Sequence, residues 1–108
     1  MKQAPLFTDT LTLTEWLLGH FDREDSRLAR RLCDNALGLL ETLALALKDR
    51  LREERVDEAD ERLIALRLQL RLMGITGRLD DRQLLYGLQL TDQIGRQLGG
   101  WRRSLQAD

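Results

Sequence analysis

Few residues in this chain are of a type that does chemistry. His20 is the single histidine and Cys33 the single cysteine. No cysteine or carboxylate stands at ligand spacing from His20 on its own helix, so a metal site lacks a basis. One cysteine forms no internal disulfide. Cys33 lies beside an apolar helix face and reads as a small buried hydrophobe. A nucleophilic pair would require Cys33 and His20 to meet through a tertiary contact. No glycine-rich phosphate loop is present. Most carboxylates have an arginine three or four positions away, such as Glu58 with Arg62 or Asp92 with Arg96, which is the spacing of solvated ion pairs. These residues predict a protein that is not an enzyme and carries no cofactor.

Arginine is the remaining chemistry. Lys and Arg together number 17 against 18 Asp and Glu, and the net charge is −1. No global positive field draws the chain to nucleic acid or an anionic membrane. Nearly all the bases are arginine, which suits bidentate ion pairs, partner surfaces and phosphate. Arg67 and Arg71 share a face of a third helix, with Arg78 just beyond. Arg82, Arg96 and Arg103 share the outer stripe of a fourth helix, with Tyr86, Gln89 and Gln93 between them. Arg102 lies nearer the core side and extends from its edge. Aromatic and glutamine residues among arginines can serve RNA by stacking and by contacts to phosphate and sugar. The same arginines also fit a solubilising face, or ion pairs between subunits with the acidic patch Glu53, Glu54, Asp57 and Glu58.

The elements that carry these residues are helical. Leucine dominates the 108 positions, β-branched residues are scarce, and there is one proline. That composition excludes an all-β or Rossmann-like fold. Spacings predict helices over about 8–21, 26–49, 57–73 and 80–105 in one domain spanning 1–108. Leu11, Leu18 and Phe21 mark the first face, widened by Leu13 and Leu17. Pro5 is a stop upstream, and Thr12-x-x-Glu15 reads as a second possible start. Asp22 or Asp25 is expected to cap the second helix, whose face is Leu28, Leu32, Ala36, Leu39, Leu43 and Leu47. A turn is expected within 49–57. Leu63, Leu66, Leu70 and Met73 form the third face. Gly74 fits the left-handed position after it, with Ile75 touching Leu70. Asp80 with Gln83 forms a capping box, and Leu79 with Leu84 a hydrophobic staple. The fourth helix buries Leu84, Leu88, Thr91, Ile94, Leu98, Trp101 and Leu105, with small residues at 87, 91, 95 and 99 for tight packing. Short connections predict an all-α, antiparallel up-down-up-down four-helix bundle. No run of 18 uncharged apolar residues spans a membrane, and the expected compartment is the cytoplasm.

Helices two and three hold more leucine than one core needs. Leu37 and Leu45 sit among Asp34, Glu41 and Lys48; Ile64, Leu68 and Leu72 lie apart from the third-helix seam. A helix apolar on two sides buries both, so these five are the expected oligomer interface. The other reading is one wide bundle face with ordinary exposed leucines.

The segment Arg62-Leu63-Ile64-Ala65-Leu66-Arg67-Leu68-Gln69-Leu70-Arg71-Leu72-Met73-Gly74-Ile75 resembles the third helix of the Avd proteins, the accessory variability determinants of diversity-generating retroelements. Leu79-Asp80-Asp81-Arg82-Gln83 resembles the start of that family's fourth helix. Ile94-Gly95-Arg96-Gln97-Leu98-Gly99-Gly100-Trp101-Arg102-Arg103-Ser104-Leu105 resembles its C-terminal pattern. The wider relatives are the four-helix bundles encoded in intervening sequences of bacterial 23S ribosomal RNA genes. The resemblance covers roughly positions 60–105. It implies a non-enzymatic, ring-like homopentamer that binds a reverse transcriptase and template-region RNA. Arg67, Arg71, Arg78, Arg82, Arg96 and Arg103 would then be RNA or partner contacts. The family relies on a strongly basic surface, and this chain departs from it: five copies would carry about −5. The reverse transcriptase would then supply most RNA contacts, or the protein has another task, such as a scaffold without nucleic-acid affinity.

Overall fold

The computed structural model describes residues 4–48 and 51–106. Four helices form: α1 (Ala4–Phe21), α2 (Arg27–Ala46), α3 (Arg52–Ile75) and α4 (Asp81–Gln106). No strand occurs among the described residues. α1 packs on α2 and α4, and α3 packs on α2 and α4, while the two diagonal pairs make no close backbone approach. The result is a four-helix bundle of 46 × 23 × 19 Å. Its long axis is set by its helices, since 26 residues of α4 rise about 39 Å.

Local chemistry fixes each helix end, in places differently from the sequence expectation. α1 begins at Ala4, upstream of the expected position 8. Pro5 lies in its first turn, where a missing N–H costs nothing. Thr12 is no start: it sits mid-helix and its hydroxyl donates to the Thr8 carbonyl at 2.9 Å. Ser26, rather than Asp22 or Asp25, caps α2 by accepting from the Ala29 N–H at 3.1 Å. Asp25 is bound instead to Arg30 at 2.8 Å. α2 ends at Ala46, Leu47 and Lys48 already turn, and α3 starts at Arg52 rather than 57. Positions 49 and 50 of the expected turn lie outside the described residues, as do 107 and 108.

The end of α3 shows the clearest correction. The helix continues through Gly74 to Ile75, and Gly77 is the residue with positive φ, at 78°. Around it the Arg78 N–H donates to the Met73 carbonyl at 2.9 Å and the Gly77 N–H to the Gly74 carbonyl at 3.1 Å. This is a Schellman closure displaced by three residues. Ile75 is 80% exposed and cannot serve as its apolar contact. α4 opens as expected: Gln83 N–H donates to Asp80 Oδ1 at 2.8 Å, and Asp80 N–H to Gln83 Oε1 at 2.9 Å. Leu79 is buried, and Leu84 packs against the core.

The core gathers leucines from all four helices. On α1 the buried set is Leu6, Leu13, Leu17 and Phe21, with Leu18 at its margin and Leu11 exposed. The expected Leu11–Leu18 face was therefore rotated. Thr10 and Thr14 are buried within this set. Each returns its hydroxyl proton to the carbonyl four residues back, at 2.7 Å, so burial leaves no orphan donor. On α2, Leu32, Ala36, Leu39 and Leu43 are buried as expected, but Leu47 is exposed past the helix end. Leu63, Leu66, Leu70 and Met73 of α3 are all buried. α4 buries Ile94, Leu98 and Trp101 as expected and adds Leu90. A Cβ on Gly87 would stand 3.0 Å from Trp16 Cζ3, so the small residue admits that indole between α1 and α4.

Candidate functional site

The six candidate arginines divide by what holds them. Arg67 reaches from α3 to α4, pairs with Asp92, and donates to Thr91 Oγ1 at 3.0 Å. Asp92 is thus engaged across the interhelix seam, rather than by Arg96 one turn along its own helix. Arg78 Nε meets Glu24 at 3.3 Å and its Nη1 lies 3.9 Å from Met73 Sδ. It ties the α3–α4 turn to the α1–α2 turn. These two guanidiniums are spoken for within the chain. Arg71, Arg82, Arg96 and Arg103 are exposed and make no ion pair among the described residues.

Three of those four stand on α4. Arg82, Tyr86, Gln89, Gln93, Arg96 and Arg103 are all exposed, so the stripe expected from the sequence is presented to solvent. Tyr86 is steadied from below by Trp16, with ring centroids 5.1 Å apart in an edge arrangement. His20 meets Trp16 in a tilted arrangement with ring centroids 4.8 Å apart, and its Nδ1 lies 3.0 Å from the Trp16 carbonyl oxygen. Arg102 is not in the stripe. It is bound to Asp57 and lies 3.7 Å from Asp60, joining the end of α4 to the start of α3. Part of the acidic patch is therefore satisfied inside the chain. Glu58 is held too: Thr42 Oγ1 donates to it at 2.9 Å and Arg62 Nε at 3.3 Å. The Thr42 hydrogen bond, then Arg62, hold its carboxyl below the ordinary carboxylate range.

The five expected interface residues are all exposed, but they do not form one patch. Leu68 and Leu72 line a groove of about 460 Å³ between α2 and α3, together with Leu28, Ala65, Arg27 and Arg31. Ile64 borders a separate hollow between α3 and α4, with Arg67 and Arg96. Leu37 and Leu45 line neither. Sequence reasoning missed Arg27 and Arg31 as groove residues, although their i,i+4 spacing beside Leu28 was visible. A polar latch between α2 and α3 was also missed. Asn35 Nδ2 donates to the Arg62 carbonyl at 2.9 Å and to Gln69 Oε1 at 3.2 Å. Arg62 crosses α2 at Gly38, where an added Cβ would fall 2.3 Å from its Nη1.

Cys33 is buried, and burial pushes its thiol up, with Asp22, Asp34 and Glu24 adding to the effect. A thiol held protonated is a poor nucleophile. Among the described residues no group of three or more His, Cys, Asp or Glu is placed to hold a metal ion. No helix among them is long and apolar enough to cross a membrane. The chain matches no family model, no curated protein and no solved structure.

Proposed function

We propose that this chain is a non-enzymatic accessory subunit of a diversity-generating retroelement, acting in the cytoplasm. In this reading it is an antiparallel up-down-up-down bundle assembled into a ring-like homo-oligomer, with a pentamer expected. It binds a reverse transcriptase and template-region RNA to support mutagenic reverse transcription. One observation carries the RNA arm: Arg82, Arg96 and Arg103 stand exposed and unpaired among the described residues, in one stripe with Tyr86, Gln89 and Gln93. Guanidiniums free of internal partners can meet phosphate, and an edge-braced tyrosine can stack a base. The antiparallel course is supported by the α2–α3 bonds, since Asn35 meets Gln69 while Thr42, further along α2, meets Glu58, earlier in α3.

The test is binding of a structured RNA by the full chain, followed by mobility shift over a range of salt. Affinity should fall as salt rises. The triple variant Arg82→Glu/Arg96→Glu/Arg103→Glu should lose binding, and each single Arg→Ala should lower the salt slope by about 1. Tight binding that survives the triple variant overturns the site.

A second reading is favoured by a specific observation. Arg67 and Arg78 are held by Asp92 and Glu24, and the net charge is −1. That suits a protein–protein scaffold with no nucleic-acid affinity, which predicts no RNA shift even at low salt.

A further inference from the structure

Among the described residues, two flanks of the bundle expose leucines beside unpaired charges. The first flank is the α2/α3 groove. Leu68 is 60% exposed, and Leu72 lines the groove one turn further along α3. Arg27 and Arg31 line the groove from α2. Neither arginine makes an ion pair among the described residues.

The second flank lies between α1 and α2. Asp9 and Trp16 mark the α4 side of α1, through Gln97 at 2.6 Å and the Tyr86 ring. Leu11, 53% exposed, lies about 140° round the helix from Trp16, on the side toward α2. Asn35 and Thr42 mark the α3 side of α2, and Leu37 lies about 160° round from Asn35, toward α1. One turn beyond these leucines stand Glu15 and Glu41, both exposed and without an ion pair among the described residues. Arg30 on this flank is held by Asp25. Asp34 lines the adjoining α2/α3 hollow with Arg31 and Ala65, and Lys48 stands beyond the far end of the second flank.

We propose that these flanks bind each other between copies: the basic-rimmed α2/α3 groove of one chain seats the acidic α1/α2 flank of the next. The occupant of the groove is therefore a second copy of this chain. Two features argue for this partner. Leucines on both sides supply the apolar centre of an interface, with charges at its rim. Arg27 and Arg31, the charges that line the groove, are opposite in sign to Glu15 and Glu41 on the other flank, which favours unlike surfaces over like ones. A contact between two different surfaces is heterologous, and it continues from copy to copy until a ring closes. The inference rests on the homo-oligomer of the proposed function and names the surfaces that would build it.

The test is solution mass by light scattering on the full chain. One variant blocks the groove, Leu68→Asp/Leu72→Asp, and another blocks the acidic flank, Leu11→Asp/Leu37→Asp. Wild type is expected to be an assembly of more than two chains. Each variant alone is expected at the mass of one chain. An equal mixture is expected at two chains and no more, because each variant retains the surface the other lacks. Circular dichroism melts check that both variants are folded, and Leu68→Gln and Leu37→Gln replace any that are not. If wild type assembles and both variants stay assembled, the inference falls and the oligomer stands. If only the groove variant dissociates, the groove pairs with itself and the inference again falls. A monomeric wild type overturns both, leaving the groove to a helix of another protein.

Discussion

Gly77 and Gly74 separate two roles that glycine plays within four residues. Gly77 has φ of 78° and open space where a Cβ would stand, so its only constraint is backbone strain. Gly77→Ala should lower the unfolding free energy by about 1 kcal/mol in urea titration. At Gly74 a Cβ would meet the flexible end of Leu84, 2.7 Å away. The gain in helix propensity there offsets the shift, so Gly74→Ala should be close to neutral. Only the closing bonds tell the two apart, which is why the sequence pattern pointed to the earlier glycine. Glu58 gives a second residue-scale prediction. Its carboxyl is held low by the Thr42 hydrogen bond and by Arg62. A lowered carboxyl adds stability above its unfolded value and loses it as pH falls through the folded one. Melts between about pH 5 and pH 3 should therefore show wild type losing more stability than Glu58→Gln. Equal losses would remove Glu58 from the acid response.

At the scale of the helix, ends are chemical decisions that neighbouring candidates compete for. Ser26 caps α2 while Asp25 pairs with Arg30 on the surface. Ser26→Ala should cost about 1 kcal/mol, and Asp25→Ala less than about 0.5 kcal/mol, measured in the same denaturant series. The reverse order would reassign the cap. Much of this scale was readable beforehand. The Leu63–Leu66–Leu70–Met73 seam and the Asp80–Gln83 box follow from spacing alone, and both are present. The face of α1 was not readable, because Thr10 and Thr14 are buried by bonding their own helix and look polar in a periodicity. The candidate site was legible only in part for a related reason. Arg67 is paired with Asp92, 25 positions away in sequence, and no local pattern reports such a partner.

For the molecule as a whole, α3 distinguishes what the bundle buries from what it leaves out. Leu66 is fully buried, whereas Leu68 is 60% exposed two positions later. Leu66→Ala should cost about 3 kcal/mol through lost burial and a cavity. Leu68→Ala in a chain kept dilute should change stability by less than about 0.5 kcal/mol. If Leu68→Ala costs as much as Leu66→Ala, the outer stripe belongs to the folded monomer and not to an interface.

The single tyrosine, on α4, and a tryptophan, on α1, meet in a T-shaped pair. At that separation light absorbed by Tyr86 passes to Trp16, so phenolic emission should be dark in the native protein. Unfolding, or any parting of α1 from α4, should switch that emission on. The bundle thus carries its own optical gauge at the edge of the arginine stripe, and it can report what docks there without an added dye.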